Sequence, residues 1–366
     1  MNVLILFSSK NIGGAEVSLS RMALLSNKTK KNIKYKLATI SGRGDWYRWI
    51  KNKGHKPLIF ETEKSFYKKN ILFSMYRLFV YLKMNRFDAI YVCGVRLSFY
   101  MRFLKLFLYP TMLFHGVRWN PDSNNKLDFF FRILERSTGF LIDGWIVNSL
   151  AAQITLEKKC NINRKRIHLI YNGINFSKKF SNTYNNSLKV LTVANLSPSK
   201  RHLDYLKTIQ IIIKHVPKAH FIFIGRDNMN GVIQKNIKTK CLNKHISYLG
   251  FKLDVRPWLK KARLCVLPSL KEGCPTILLE AASYGIPCVA YKIDGIPEII
   301  KNKEHGFLCK PGNIYQMSKS IIKLLTKNNL HKSMSKKFML HVIKNFSLKK
   351  SVELHYDVFS SLEKKI

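Results

Sequence analysis

Residues 267–287 read Leu267-Pro-Ser-Leu-Lys-Glu272-Gly-Cys-Pro-Thr276-Ile-Leu-Leu-Glu280-Ala-Ala-Ser-Tyr-Gly-Ile-Pro287. The apolar run over 263–267 predicts a buried strand, followed by a loop that carries Glu272 and Gly273. Pro275 is suited to open a helix, because the N–H it lacks is one that a first helical turn leaves unpaired anyway. The remaining amides of that turn make a natural seat for a phosphate. Glu280 falls in the second turn, eight positions after Glu272, so both carboxylates can face one ligand. A polyhydroxylated ligand suits them, since charge-assisted hydrogen bonds to a carboxylate are the stronger kind. The same spacing also fits an ordinary helix opening, with acids near its positive end.

Outward from this stretch, short β-rich runs alternate with longer helical patterns, which predicts parallel sheets covered by helices. The expected strands are 2–7, 35–40, 57–60, 88–93, 110–115 and 143–147, then 188–193, 219–224, 246–249, 263–267, 287–290 and 306–308. Residues 1–7 are too short and too poor in basic residues for a signal peptide and read as the first strand. The Asn- and Ser-rich segment HLIYNGINFSKKFSNTYNNS (168–187) is the expected connector. The fold class is therefore α/β: two doubly wound domains, 1–175 and 176–345, facing a cleft. The segment 346–366 is a closing helix that can pack back on the first domain. In such sheets ligands sit beyond the carboxyl ends of the strands.

With seven residues between Glu272 and Glu280, then a helix and Gly285-Ile286-Pro287, the stretch resembles the signature of family 4 glycosyltransferases, which have the GT-B fold. The resemblance implies that Glu272 contacts the donor sugar's hydroxyls and Glu280 the ribose. Backbone around Gly273, Cys274, Pro275 and Thr276 would hold the sugar and diphosphate. VANLSPSKRHLDYL (193–206) is similar to the family's diphosphate loop. Lys200 fills its lysine position, Asn195 stands where an arginine is common, and Arg201 replaces a usual glycine. Asparagine donates a hydrogen bond but brings no charge, so neutralisation of the diphosphate rests on Lys200. YLGFKLDV (248–255) resembles the loop that meets the nucleotide base near Phe251 and Leu253, and YNGIN (171–175) the connector after the first domain. In the first half, the bend Gly13-Gly14-Ala15-Glu16 after strand one corresponds to a loop at the family's reaction centre, so Gly14 is expected to line the donor site. His115, read as the end of strand TMLFH, corresponds to a histidine that approaches the donor; as a lone histidine at a strand end it is equally well a structural residue. Asn148 and Ser149 stand at another strand end. The implied activity is transfer of a hexose-type sugar from a nucleotide diphosphate sugar to a lipid-linked or saccharide acceptor in surface polysaccharide synthesis, with retention and without a metal cofactor.

Composition bounds these expectations. The 366 residues carry 64 Lys+Arg against 21 Asp+Glu, a formal net charge of +43, with 46% hydrophobic residues. So basic a surface attracts anionic lipid, nucleic acid or phosphorylated small molecules. Residues 66–84 and 96–107 combine apolar residues at helical spacing with interspersed Lys and Arg. They read as sheet-covering helices whose outer faces suit an anionic membrane. The expected location is accordingly cytoplasmic, peripheral to the inner face of the membrane, with no specific nucleic-acid partner. Seven cysteines show no CxxC or Cys/His ligand spacing and read as buried thiols. There is no Asp-x-Asp, Walker A, HExxH or Gly-x-Ser-x-Gly motif. The rivals are an epimerase of sugar nucleotides on the same fold and a basic nucleic-acid-binding protein, whose aromatics would have to form an exposed stacking platform.

Overall fold

The computed structural model describes residues 1–29, 32–61, 71–123, 125–176 and 187–363. The chain divides into two compact units, Met1–Gly173 joined by Leu348–Ile366, and Ile174–Ser347.

In the first unit the strands are β1 (Asn2–Phe7), β2 (Lys34–Thr39), β3 (Leu58–Ile59), β4 (Ala89–Cys93), β5 (Met112–Val117), β6 (Gly144–Val147) and β7 (Ile167–Leu169). They form one parallel sheet in the order β3-β2-β1-β4-β5-β6-β7. From Val3 to Phe7 every residue of β1 is buried, as a parallel strand covered on both faces requires. The helices are α1 (Gly14–Ser26), α2 (Asp45–Lys51), α3 (Ile71–Met84), α4 (Val95–Lys105), α5 (Lys126–Thr138) and α6 (Leu150–Lys159). Alternate strand residues Leu4 and Leu6, Ile90 and Val92, and Trp145 and Val147 share a core with Leu78 of α3, Met101 of α4, Phe131 of α5 and Leu156 of α6. Those four helices therefore cover one face of the sheet.

The second unit contains β8 (Lys189–Val193), α7 (His202–His215), β9 (His220–Ile224), α8 (Val232–Thr239), β10 (Ile246–Tyr248) and α9 (Arg256–Leu259). β11 (Leu264–Leu267), α10 (Thr276–Ser283), β12 (Cys288–Tyr291), α11 (Ile296–Ile299), β13 (Gly306–Cys309), α12 (Ile314–Thr326) and α13 (Asn328–Asn345) follow. Its parallel sheet runs β10-β9-β8-β11-β12-β13. In both sheets the strand order reverses once, beside β1 and β4 or beside β8 and β11, and such a switch point opens a crevice at the carboxyl ends. The chain enters and leaves this unit side by side, with Ile174 N donating to Phe346 O at 3.0 Å.

α14 (Leu348–Glu363) belongs with the first unit. Its Phe359 is fully buried and meets the rings of Phe114, Tyr91 and Tyr35.

Several elements differ from the sequence expectation. Strand 110–115 is shifted to Met112–Val117, because Pro110 has no N–H for the ladder and the Thr111 amide closes a turn onto Leu108 O at 2.8 Å. Residues 168–169, expected in the connector, pair with β6 together with Ile167 as a short edge strand. Residues 296–299, unassigned from sequence, make one turn of helix after Gly295.

Candidate functional site

In the second unit, hydrogen bonds tie together the loops leaving β8, β9, β11 and β12. Asn195 Oδ1 accepts from the Arg226 amide at 2.9 Å, and the Leu196 amide donates to Arg226 O at 2.8 Å. Gly225 makes this approach possible: it has φ +159°, and a Cβ there would stand 2.1 Å from Ala194 O. Across the switch point, the Leu270 amide donates to Ser199 O at 2.8 Å. The Glu272 amide donates to Asp294 Oδ2 at 3.0 Å.

Lys200 and Glu272 meet at this junction. The ammonium stands 2.5 Å from Glu272 Oε1 and 3.4 Å from Lys271 O, and both side chains are part-buried. Beside them Gly273, Cys274 and Pro275 are buried and lead into α10. Pro275 is its N-cap, in extended conformation, and no side chain caps the helix. The first amides of α10 are thus uncapped next to a lysine and a glutamate, an arrangement that suits an anion bearing hydroxyl groups.

The other residues of the second unit singled out from sequence fall into three groups. Glu280, on α10, lies in the electrostatic neighbourhood of Tyr284 and the Arg256–Asp254 pair. Burial raises the Tyr284 hydroxyl, Arg256 opposes this, and Asp254 and Glu280 add to it. Phe251 carries the Arg226 guanidinium on its ring, 3.7 Å from the centroid, while Leu253 is exposed in the same loop. Arg201 adopts a left-handed conformation (φ 52°) and binds Asp204 through Nε at 2.6 Å. Its charge is therefore committed to its own helix start. Sequence reasoning missed Arg226 and Asp294. It also missed His202, whose fully enclosed ring is pushed down to about 4 by burial and by the charge of Lys200.

Gly14 and His115 belong to the first unit. Gly14 is exposed and begins α1, beyond the carboxyl end of β1. His115 corrects the sequence reading: it lies inside β5 rather than at its end, paired in register with Val92 and Trp145, and is fully buried. Its Nδ1 donates to Glu135 Oε1 at 2.9 Å, and Nε2 is enclosed without a hydrogen-bond partner. Glu135 also accepts from Trp145 Nε1 at 2.7 Å and pairs with the buried Arg102. Burial alone would raise the Glu135 carboxyl, but His115, Arg102 and the indole together hold it below its ordinary value. Ser149 is the N-cap of α6, accepting from the Ala152 amide at 3.2 Å, and Asn148 beside it is buried.

Among the described residues no cluster of three or more His, Cys, Asp or Glu is placed to hold a metal ion. No described helix is long and apolar enough to cross a membrane.

Residues 173–340 match the family described as glycosyl transferases group 1. A UDP-Gal:alpha-D-GlcNAc-diphosphoundecaprenol alpha-1,3-galactosyltransferase of Escherichia coli is 27% identical over 217 residues, which cover 55% of this chain and 56% of that protein. An N-acetyl-alpha-D-glucosaminyl L-malate synthase of Bacillus anthracis is 28% identical, over 46% of this chain and 45% of that one. The chain thus spans about half the length of the curated relatives it matches. In structure, HepE of Anabaena in complex with UDP and glucose superposes with a TM-score of 0.82 at 18% identity, over 99% of this chain and 100% of that one. Sucrose-phosphate synthase of Thermosynechococcus elongatus gives 0.80 at 15% identity, over the full length of both. The match to the glycosyl transferases group 1 family is thus carried by residues 173–340, and the chain as a whole has the GT-B fold.

Proposed function

We propose that the protein is a glycosyltransferase that moves a hexose-type sugar from a nucleotide diphosphate sugar to a lipid-linked or saccharide acceptor in surface polysaccharide synthesis. The observation that carries this reading is the meeting of Lys200 with Glu272 beside the uncapped start of α10, at the switch point of the second sheet.

In this reading the diphosphate lies against the first amides of α10 and the Lys200 ammonium. These fixed positive groups stabilise the charge that grows on the departing diphosphate, so no metal is called for. Glu272 accepts from the sugar hydroxyls and holds Lys200 in place, while Glu280 accepts from the ribose. The Arg226–Phe251 pair borders the base. The bond from the anomeric carbon to the diphosphate oxygen breaks. The acceptor oxygen bonds to that carbon on the same face, and its proton passes to the departing diphosphate, so configuration is retained. His115, enclosed with Glu135 and Arg102, takes a structural part.

Lipid-linked acceptors are named for the Escherichia coli relative and for a Campylobacter jejuni N-acetylgalactosaminyltransferase that is 25% identical over 46% of this chain. They support a lipid-linked acceptor. The test is product analysis by mass spectrometry after incubating the protein with membrane extract and a panel of nucleotide sugars. A donor-dependent mass increase of one sugar on a lipid-linked species supports the proposal. Interconversion of the donor with no transfer would favour the epimerase instead.

A further inference from the structure

We propose that the outward faces of α3, α4 and α5 together form a surface that docks on an anionic lipid bilayer. The proposal names the surface by which the enzyme proposed above reaches a lipid-linked acceptor, and to that extent it rests on that reading.

Three observations carry it. First, the three helices lie in one layer, since Leu78, Met101 and Phe131 meet alternate residues of the same sheet face. The layer is continuous: the Phe79 ring of α3 meets that of Phe107, just past α4, at 6.3 Å between centroids. Arg102 of α4 donates to Leu134 O of α5 at 3.0 Å. Second, the side of this layer turned away from the sheet is apolar and aromatic. On α3, Leu72, Tyr76 and Met84 are exposed, spaced by multiples of four along one ridge. Phe103 and Leu106 continue the surface, and Phe129, Phe130 and Ile133 extend it along α5. Phe129 and Phe130 are more than half exposed, at 58% and 54%. Exposed large apolar side chains gathered along one helical layer, rather than scattered singly, mark an interaction site.

The third observation is the sign of the charge. α3 and α4 contain no acidic residue, and the two of α5, Asp128 and Glu135, are fully buried. Lys83, Arg96, Lys126 and Arg136 are exposed on the same three helices. A surface of aromatics among lysines and arginines, with no exposed carboxylate on its helices, complements lipid headgroups of negative charge above acyl chains. The α5 face lies outside the segments singled out from sequence. Residues 66–70, at the start of one of those segments, lie outside the described residues.

The experiment is co-sedimentation of the purified full-length chain with vesicles of phosphatidylglycerol and phosphatidylcholine, or of phosphatidylcholine alone, without donor or acceptor. It therefore reads docking separately from sugar transfer. The expected result is binding to the anionic vesicles only. Phe129→Ser with Phe130→Ser should weaken it at least tenfold, and Lys126→Gln with Arg136→Gln several-fold. Lys28→Gln with Lys51→Gln, near α1 and α2, should leave it within twofold, and the thermal midpoint of each variant verifies folding. The proposal is overturned if anionic vesicles are not bound, or if the Lys28/Lys51 variant loses as much binding as the phenylalanine variant. It is also overturned if light scattering shows a dimer that the phenylalanine variant dissolves while vesicles are ignored, for then a second copy covers the face.

Discussion

Glu135→Ala tests the buried centre of the first unit. The carboxylate accepts from His115 at 2.9 Å and Trp145 at 2.7 Å, and it is the ion-pair partner of Arg102. The Arg102 guanidinium is fully buried, and its other bonds go to neutral oxygens, Leu134 O at 3.0 Å, Thr138 Oγ1 at 2.5 Å and Ser98 Oγ at 3.5 Å. Removing the carboxylate leaves a buried cation uncompensated, which costs about 3–5 kcal/mol. Glu135→Gln keeps an acceptor but not the charge, and is expected to lose roughly half of that. Urea unfolding followed by tryptophan fluorescence is the assay, because Trp46, Trp49, Trp119 and Trp145, four of the five tryptophans, lie in this unit. With a slope of about 2 kcal/mol per molar urea, the alanine midpoint should fall by ~1.5–2.5 M. The sign of the pH dependence follows from the depressed carboxyl. The stabilisation is fully present above the ordinary carboxylate range and is lost only as pH falls through the lower folded value. The difference between parent and variant should therefore be flat from pH 6 to 8 and shrink in acid. A midpoint within about 0.3 M of the parent at pH 7 would refute the assignment of this network as a structural centre.

Lys200→Met should reduce transfer by roughly 10²–10³-fold, the effect of removing one preorganised donor from a developing anion, as read by initial rates at saturating donor. Glu280→Ala should mainly weaken nucleotide binding and Glu272→Ala mainly lower turnover; parental kinetics in both would remove the site assignment. His202→Phe should flatten the acid side of the stability profile. The native ring is depressed to about 4 from an unfolded value of about 6.5, so its contribution is fully present above 6.5 and is lost as pH falls towards the folded value. Between pH 7.5 and 5 the parent should lose about 2 kcal/mol more than the variant, measured by denaturant midpoints at the two pH values.

The sheets were legible because parallel strands covered on both faces are continuous apolar runs, as in MNVLILF and RLCVLP. Glu272, Lys200 and the opening of α10 were legible through resemblance, each carried by its own local motif. The supports around them were not. Asn195 meets Arg226 across 31 residues and Glu272 meets Asp294 across 22. These contacts exist because the strand order brings separate carboxyl ends together, and no local periodicity encodes them. Asn195 illustrates this: in sequence it is a missing cation, whereas in the fold it fixes the backbone of Arg226, a cation from the next loop. His115 was misplaced because Pro110 moved the strand two residues along, turning a strand end into a strand centre.

The central claim is that the junction of Lys200, Glu272 and the first turn of α10 binds a nucleoside diphosphate. Thermal unfolding across a panel of nucleoside diphosphates and their sugars, with a short oligonucleotide as control, tests it most directly. A ligand present at a hundred times its dissociation constant should stabilise by about 2.7 kcal/mol, raising the unfolding temperature of a unit of this size by roughly 5–10 °C. At the same ligand concentration, Lys200→Met should lose most of that shift. No shift with any diphosphate, or a shift with the oligonucleotide alone, would contradict the claim.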